Sequence, residues 1–210
     1  MASNSTIFST NADNIQVLAN LAPYVTCNDK ISRNTRIRGL IIIPGGGGKT
    51  TLLSSLYTKV ACADIDDYWD QEQEQNRIQE LTVDWKEACT NNNLTKRHQI
   101  EDEYVLLKAK LSKQKWSHDE MYDLLFVQTY AQASVLLDEN CFALNLLPTA
   151  RLHHSNLYRR AKSEHPPQDF DVCLTQWKEN ELYSHVLYDT FEQLEKIVTL
   201  FHQFISSNRN

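Results

Sequence analysis

Apolar positions along the chain occur as short continuous runs that alternate with stretches of helical spacing. These runs lie within residues 40–43, 60–63, 123–127, 141–147 and 185–190, with a few polar residues among them. Short, nearly continuous apolar runs are typical of strands that are buried on both faces of a parallel sheet. Helically spaced apolar residues follow each run. The pattern therefore predicts an α/β fold with a five-stranded, mainly parallel sheet and helices on both faces.

Two regions lie outside this alternation. Residues 70–117 carry two apolar stripes with helical spacing, separated by three asparagines at 91–93, which predicts an inserted helical hairpin. Ser117, followed by acidic residues, predicts the start of a further helix. Residues 1–37 form an N-terminal arm with one predicted helix at 14–22. We expect the α/β domain to span residues 38–206.

A glycine-rich loop joins the first predicted strand to the next helix. The loop contains Gly45, Gly46, Gly47 and Gly48. Glycines allow backbone N–H groups to surround phosphate oxygens, and the following helix N-terminus adds partial positive charge. In a phosphate-binding loop, Lys49 reaches the β- and γ-phosphates and the Thr50 hydroxyl binds Mg²⁺, while Thr51 adds a further helix N-terminal group.

The loop departs from the usual G-x-x-x-x-G-K-[ST] pattern at one position. Counting back from Gly48, the first glycine of the pattern falls on Ile43. Only the second half of the pattern is intact. A glycine-rich turn that binds nothing therefore remains an alternative, although the loop lies between a predicted strand and a predicted helix, as the motif requires.

Acidic residues follow the second predicted strand. Asp64, Asp66 and Asp67 lie at its carboxyl end, which is the edge where ligands bind in open parallel sheets. If the strand continues, its alternation places Asp64 and Asp66 on one side and Asp67 on the other. The alternative is a solvated acidic turn.

A cationic helix is predicted after the fourth strand. It carries Arg151, Arg159, Arg160 and Lys162 within residues 150–162. We interpret its two adjacent histidines, residues 153–154, as surface or substrate-adjacent residues, because neighbouring helix positions point in different directions. Three further arginines, Arg33, Arg36 and Arg38, precede the first strand. We expect them to be solvated, and contact with phosphates is the alternative.

Composition narrows the class of protein. The net charge of −6 argues against general coating of nucleic acid. The five cysteines are odd in number and lack a C-x-x-C spacing, which favours a reducing compartment over a disulfide framework. Neither a signal-peptide pattern nor a membrane-length apolar stretch is present. We therefore expect a cytoplasmic, intracellular protein without a membrane partner.

The order of these motifs resembles that of the small P-loop kinases, over about residues 38–206. This group includes nucleoside and nucleotide kinases, shikimate- and gluconate-type kinases and the kinase domains of polynucleotide kinases. The glycine loop resembles the family P-loop, residues 64–68 resemble its D-x-D or D-x-F-Y motif, and residues 151–176 resemble its lid. The resemblance implies ATP or GTP and Mg²⁺ as cofactors.

The same resemblance implies individual roles. Lys49 would contact phosphate, Asp66 would orient the acceptor hydroxyl, and Thr50, Asp64 and Asp66 would hold the metal. Arg159, Arg160 or Arg151 would close over the triphosphate. The third strand ends in Gln128-Thr129, so the usual carboxylate at that position is missing.

The expected function is transfer of a γ-phosphoryl group to a hydroxyl on a nucleoside, a nucleotide or a nucleic-acid 5′ end. An NTPase acting as a regulatory or nucleic-acid-associated subunit is one alternative, and an interaction protein with a degenerate P-loop is another. The hairpin region supplies four aromatic residues near the acidic strand end, which either stack on a base or belong to the core. They are Tyr68, Trp69, Trp85 and Tyr104.

Overall fold

A computed structural model of the chain describes residues 6–7, 25–27, 36–69, 72–163 and 168–207. The strands are β1 (Thr6–Ile7), β2 (Val25–Cys27), β3 (Arg38–Ile42), β4 (Cys62–Asp64), β5 (Leu124–Val127), β6 (Cys141–Pro148) and β7 (Val186–Tyr188). The α-helices are α1 (Lys49–Leu56), α2 (Ile65–Tyr68), α3 (Gln75–Thr90), α4 (Leu94–Ser117), α5 (Tyr130–Leu136), α6 (Ala150–Ser163), α7 (Gln168–Glu181) and α8 (Phe191–Ser207), and a 3₁₀ turn spans Glu72–Glu74.

The strands form one sheet in the order β1-β7-β6-β3-β5-β4, with β2 paired beside β6. The five predicted strands are β3 to β7, and the pairings among them are parallel. The mixed α/β prediction is confirmed. The predicted strand number was too low, because β1 and β2 also join the sheet, β2 antiparallel to β6. With two and three residues, they are too short to show a strand pattern.

Strand β3 runs through the centre of the sheet and shows why helices cover both faces. Ile41 and Ile43 pack with residues of α1 and α8, whereas Leu40 and Ile42 pack with residues of α2, α4 and α5. All four side chains are fully buried. A strand that is apolar on both sides therefore requires a layer of helices on each side.

The inserted segment is a helical hairpin of α3 and α4. Asn92 adopts a positive φ of 50° in the turn, and the Asn93 side chain accepts a hydrogen bond from the Lys96 backbone N–H. The prediction that a helix begins at Ser117 was wrong, because α4 ends at that residue. Asp119 instead accepts hydrogen bonds from the backbone N–H groups of Met121 and Tyr122 and closes a turn.

Arg36 and Arg38, the first residue of β3, lie at the sheet edge opposite the glycine loop, where the parallel strands begin. Arg36 pairs with Asp123, and Arg38 pairs with Asp138 at 2.9 Å. The Arg38 residue is only 3% exposed, so the expectation that it is solvated was wrong. The helix predicted at 14–22 and Arg33 lie outside the described residues.

Two further observations bear on the class of protein. The four cysteines whose side chains are described carry free thiols: Cys62, Cys89, Cys141 and Cys173. Within the described ranges, no helix combines the length and the apolar character that crossing a membrane requires.

Candidate functional site

The glycine loop, residues 44–48, connects the end of β3 to the start of α1 and lies at the carboxyl edge of the sheet. Gly46 and Gly48 have φ values of +77° and +94°, which L-residues with a side chain rarely adopt. A Cβ atom on Gly46 would also lie 2.5 Å from Leu157 Cδ2. Inside the loop, the Gly47 N–H donates to Pro44 O at 2.9 Å. The sequence of glycines thus permits a tight turn beneath close neighbours.

Side chains from distant elements fix the carbonyl groups of the loop. Three successive carbonyl oxygens each accept one hydrogen bond from a side chain of α6 or β7. The donors are His153 Nε2 to Gly45 O at 2.7 Å, Asn156 Nδ2 to Gly46 O at 3.0 Å, and the Tyr188 hydroxyl to Gly47 O. The first N–H groups of a helix have no intrahelical acceptor, so those at the start of α1 can donate to a ligand.

His153 is buried, so the interpretation of this histidine as a surface residue was wrong. Burial lowers the pKa of His153, so the neutral imidazole is favoured, and the bond to a carbonyl requires its proton on Nε2. His154 is exposed. The pair therefore separates into one residue that fixes the loop and one that faces solvent.

Lys49 extends from the first position of α1 to the two carboxylates that follow β4. Its Nζ lies 2.6 Å from Asp64 Oδ1 and 3.2 Å from Asp66 Oδ2. The Lys49 side chain is 10% exposed, whereas that of Asp66 is 38% exposed. We call Asp64 and Asp66 the acidic edge. The structure therefore brings together three predicted site residues that are separated by 17 positions or fewer.

The two carboxylates meet for a different reason from the predicted strand alternation. Strand β4 ends at Asp64 and α2 begins at Ile65. Asp64 caps this helix by accepting the Asp66 backbone N–H at 3.1 Å. The strand does not continue past Asp64, so the condition for the predicted alternation is not met. The Asp66 side chain nevertheless lies beside Lys49.

Asp66 is the centre of the charge network. Lys108 Nζ from α4 lies 2.7 Å from Asp66 Oδ1, and Gln128 Nε2 donates to Asp66 Oδ2 at 2.9 Å. Burial acts to raise the pKa of Asp66, but Lys49 and Lys108 outweigh it and lower the pKa to about 2. Burial raises the pKa of Asp64. Asp66 is therefore a partly exposed carboxylate that is ionised at neutral pH.

An amide side chain, that of Gln128, follows the carboxyl end of β5. Gln128 donates to Asp66, accepts a hydrogen bond from Gln176 Nε2 at 3.3 Å, and is held through its backbone carbonyl by Asn180. Gln176 Oε1 in turn accepts the Gly45 N–H at 3.0 Å. A chain of neutral amides thus connects the glycine loop with Asp66.

A cleft of about 700 Å³ opens above the loop. Its lining includes Pro44, Gly45, Gly46, Gly47, Gly48, Lys49, Thr50, Thr51, Asp66, Gln128, Asn156, Arg159 and Arg160. The predicted loop residues and two of the three candidate lid arginines therefore share one cleft. Arg151 does not line it. Its side chain is 83% exposed and pairs with Asp189 at 2.7 Å.

The predicted metal residues fit a magnesium ion that is also bound by phosphate and water. The described residues contain no group of three or more His, Cys, Asp or Glu side chains that could hold a metal. Mg²⁺ usually takes one or two carboxylates together with substrate phosphates. The ionised Asp66 and the exposed Thr50 both line the cleft, and Asp64 lies behind them beside Lys49.

Sequence reasoning missed several residues of this site. Lys108 lies on the hairpin, 42 positions from Asp66, and its helical spacing resembles that of a packing position. Gln176 and Asn156 hold the loop from helices whose contact with it has no local sequence signal. A charged residue inside an otherwise buried helix face was the one available clue for Lys108, which is 7% exposed.

Comparisons with known proteins bear on the fold. No protein-family model matches the chain, and no curated protein matches it. A solved structure that does match is an unliganded sugar kinase from Janibacter sp. HTCC2649, with a TM-score of 0.50 and 12% sequence identity. The match covers 82% of this chain and 98% of that one. At this identity the likeness concerns the fold alone, and the chain has a kinase-like α/β fold.

Proposed function

We propose that the chain is a P-loop phosphotransferase that binds ATP or GTP in the cleft and transfers the γ-phosphoryl group to a hydroxyl acceptor. The observation that best supports this proposal is that Lys49, directly after the glycine loop, contacts both carboxylates of the acidic edge. This arrangement puts a phosphate-binding cation beside an acceptor-orienting carboxylate. The kinase-like fold is consistent with the proposal.

The nucleotide phosphates are proposed to occupy the place that the glycine loop encloses. The N–H groups of Gly45 and Gly47 already donate within the protein. The other backbone N–H groups of the loop and those of the first turn of α1 would donate to phosphate oxygens. Lys49 would exchange one carboxylate contact for the β- and γ-phosphates. Arg159 and Arg160 approach the same cleft from α6 and would neutralise charge on the transferred group.

Thr50, Asp66 and Asp64 would hold Mg²⁺, Asp64 by way of the water shell. When bound, the ion neutralises charge on the phosphates and fixes their orientation. Gln128 is neutral and adds no charge to this set. In this proposal, the two carboxylates of the acidic edge therefore provide the negative charge that the protein contributes to Mg²⁺ binding.

Asp66 is proposed to orient the acceptor hydroxyl by accepting its hydrogen bond. A carboxylate with a pKa of about 2 is a weak base at neutral pH, and phosphoryl transfer demands positioning more than early proton removal. The acceptor oxygen forms its bond to the γ-phosphorus as the bond to the β–γ bridging oxygen breaks. The nucleoside diphosphate leaves, and the hydroxyl proton passes to solvent.

The test measures nucleotide binding and transfer separately. Thermal melting with ATP or GTP and Mg²⁺ reports binding, and a ligand at about 100 times its Kd adds roughly 2.7 kcal/mol of stability. Labelled γ-phosphate on a panel of nucleosides, sugars and 5′-hydroxyl oligonucleotides reports transfer. Lys49→Met should abolish transfer, while Lys59→Met, which removes an exposed lysine paired with Glu195, should leave it unchanged.

Each outcome selects one class of protein. Transfer that survives in Lys49→Met would overturn the assignment of that residue. Absence of a melting shift with either nucleotide would favour an interaction protein with a degenerate loop. A melting shift with slow hydrolysis but no labelled acceptor would favour an NTPase.

A further inference from the structure

Helix α7 places two buried amide side chains beside the candidate site. Gln176 is 5% exposed and Asn180 is fully buried. They are four residues apart, so they lie on the same face of the helix. Asn180 donates to the backbone O of Gln128 at 2.9 Å and accepts the Tyr130 backbone N–H at 2.9 Å, which fixes the chain just after β5. Gln176 bonds both to Gln128 and to the glycine loop, so α7 connects these two segments.

The side chains of Gln176 and Gln128, which we call the amide pair, link Gly45 to Asp66 by three hydrogen bonds. Gln176 Oε1 accepts the Gly45 N–H at 3.0 Å, and Gln176 Nε2 donates to Gln128 Oε1 at 3.3 Å. Gln128 Nε2 donates to Asp66 Oδ2 at 2.9 Å. A backbone N–H can only donate and a carboxylate can only accept. The amide pair therefore fits in one orientation, because reversing either amide would place two oxygens or two N–H groups against each other.

The amide pair bonds to the same Asp66 oxygen that Lys49 contacts. Lys49 Nζ lies 2.6 Å from Asp64 Oδ1 and 3.2 Å from Asp66 Oδ2, so its contact with Asp66 is the longer one. If Lys49 exchanges this longer contact for the phosphates, Asp66 Oδ2 loses a cation. Lys108 stays on Oδ1 at 2.7 Å, and Gln128 stays on Oδ2. The orientation of the carboxylate then depends on these two donors.

We propose that Gln176 and Gln128 are positioning residues that hold Asp66 toward the acceptor hydroxyl after Lys49 has turned to the phosphates. This inference rests on the proposed phosphotransferase function and assigns two residues to its geometry. Gln176 fixes the orientation of Gln128, and its bond to Gly45 sets that orientation relative to the loop that binds the nucleotide. Because both amides are neutral, they orient Asp66 without an ion pair that phosphate or Mg²⁺ would have to displace.

Gln176→Met tests this role by removing both hydrogen bonds of a side chain of similar length. Thermal melting checks that the variant is folded, and calorimetry with ATP and Mg²⁺ gives its nucleotide affinity. Transfer of labelled γ-phosphate is measured on the panel of nucleosides, sugars and 5′-hydroxyl oligonucleotides. We expect kcat to fall roughly 10–100-fold, since a misplacement of about 1 Å has an effect of this size. Affinity for ATP should stay within about threefold, because the three loop carbonyls keep their donors.

A double-mutant cycle shows whether the two amides act as one unit. Gln128→Met removes the donor to Asp66 directly, so adding Gln176→Met to it should lower kcat no further. Tyr188→Phe is the matched control, because it removes a hydrogen bond to the loop, at Gly47 O, from a residue outside the amide pair. The fold losses of Tyr188→Phe and Gln128→Met should multiply in the double variant. Losses that also multiply for Gln176→Met and Gln128→Met would overturn the proposal.

Gln176→Glu separates the orientation of Gln128 from support of the loop. Its carboxylate still accepts the Gly45 N–H but has no donor for Gln128 Oε1, so two oxygens would face each other across the 3.3 Å contact. Protonation supplies the missing O–H donor, and burial raises the pKa of a carboxyl group. At saturating ATP, kcat relative to the parent chain should therefore be low in alkaline solution and should rise as the pH falls.

The pH response of Gln176→Glu has its own control in Gln176→Met, which takes up no proton at this position and should show no such recovery. A kcat ratio that stays flat with pH in Gln176→Glu would mean that the donor to Gln128 is not required, and the proposal would be wrong. If Gln176→Met does not fold, Gln176→Glu replaces it, because it keeps the shape of the side chain.

ATP binding and transfer in the parent chain keep the two proposals apart. If the parent chain binds ATP and labels an acceptor while Gln176→Met keeps the parent kcat, the positioning role is wrong and the phosphotransferase proposal stands. The same holds if Gln176→Met loses ATP affinity alone, since Gln176 would then only support the loop. If the parent chain binds no ATP, or labels no acceptor, the phosphotransferase proposal fails and the positioning role fails with it.

Discussion

The glycine loop and the acidic edge are neighbours, but different forces hold them. The loop carbonyls are fixed by neutral donors, and Ile43 fills the space beneath the loop. Asp66, by contrast, is held largely by two nearly buried ammonium groups, Lys49 and Lys108. At neutral pH, packing and neutral hydrogen bonds do not depend on a formal charge, whereas ion pairs do. The loop should therefore respond to changes in packing, and the acidic edge to changes in charge.

Ile43→Ala is expected to produce the largest effect, on the loop side of this comparison. Ile43 is fully buried, and its Cγ2 lies 2.4 Å from the position a Cβ on Gly47 would take. Removing a buried isoleucine side chain to alanine costs about 2–5 kcal/mol of unfolding free energy. Denaturant unfolding measures this loss, and nucleotide affinity should fall as the loop loses its support.

A matched pair separates loop support from general stability. Ile42 is equally buried in β3 but faces the opposite core. Ile43→Val and Ile42→Val should each cost about 0.5–1.5 kcal/mol, and only Ile43→Val should weaken ATP binding. A gain of affinity on shortening Ile43 would instead show that this residue handicaps an otherwise complete phosphate-binding loop.

Lys108→Met tests whether the acidic edge depends on the charge of its lysine partners. With this cation removed, burial is opposed by Lys49 alone, so the pKa of Asp66 should rise. Asp66 in the variant is therefore protonated at a higher pH than in the parent chain. The transfer rate should accordingly begin to fall at a higher pH when the solution is acidified. Misplacement of the carboxylate should also lower the rate by up to about 10²-fold.

Two variants check that the charge at position 108 causes this change. Lys108→Arg keeps a cation and should retain the low-pH limb of the parent chain. Lys110→Met removes an exposed lysine of the same helix and should change neither rate nor pH profile. An unshifted acidic limb in Lys108→Met would mean that Lys108 has a packing role only.

The sequence predicted the loop side better than the acidic edge. The glycine run, the apolar strand before it and Lys49 are contiguous, so local propensity and spacing were sufficient to place them. The pairing of Asp64 with Asp66 was predicted for the wrong reason, because a helix cap replaced the expected strand alternation. Lys108 and Gln176 reach the site through tertiary packing, which spacing in a single sequence does not encode.

Gln128→Asp is expected to have a smaller effect and tests why β5 ends in an amide. The new carboxylate would lie near Asp66, and the donor to Asp66 Oδ2 would be lost. We expect a loss of about 1–3 kcal/mol at pH 7 from the unpaired and repelling groups. Gln128→Asn has the same shape without the charge. Thermal melting should show that only the Asp variant recovers stability as the pH falls and a carboxyl group takes up a proton.

His153→Gln, which changes a donor to the glycine loop, should have the smallest effect on the free energy of unfolding. The bond from His153 to Gly45 O is one neutral hydrogen bond, and its loss costs about 1 kcal/mol.

Burial lowers the pKa of His153 below its ordinary value of 6.5, so the unfolded chain takes up this proton at higher pH than the folded chain. His153 therefore contributes stability that is present above pH 6.5 and is lost as the pH falls below it. His153→Gln should flatten this part of the melting profile, and His154→Gln, at the exposed neighbouring position, should not. An unchanged slope in His153→Gln would mean that other groups cause the pH dependence, and that the loop depends on its remaining donors.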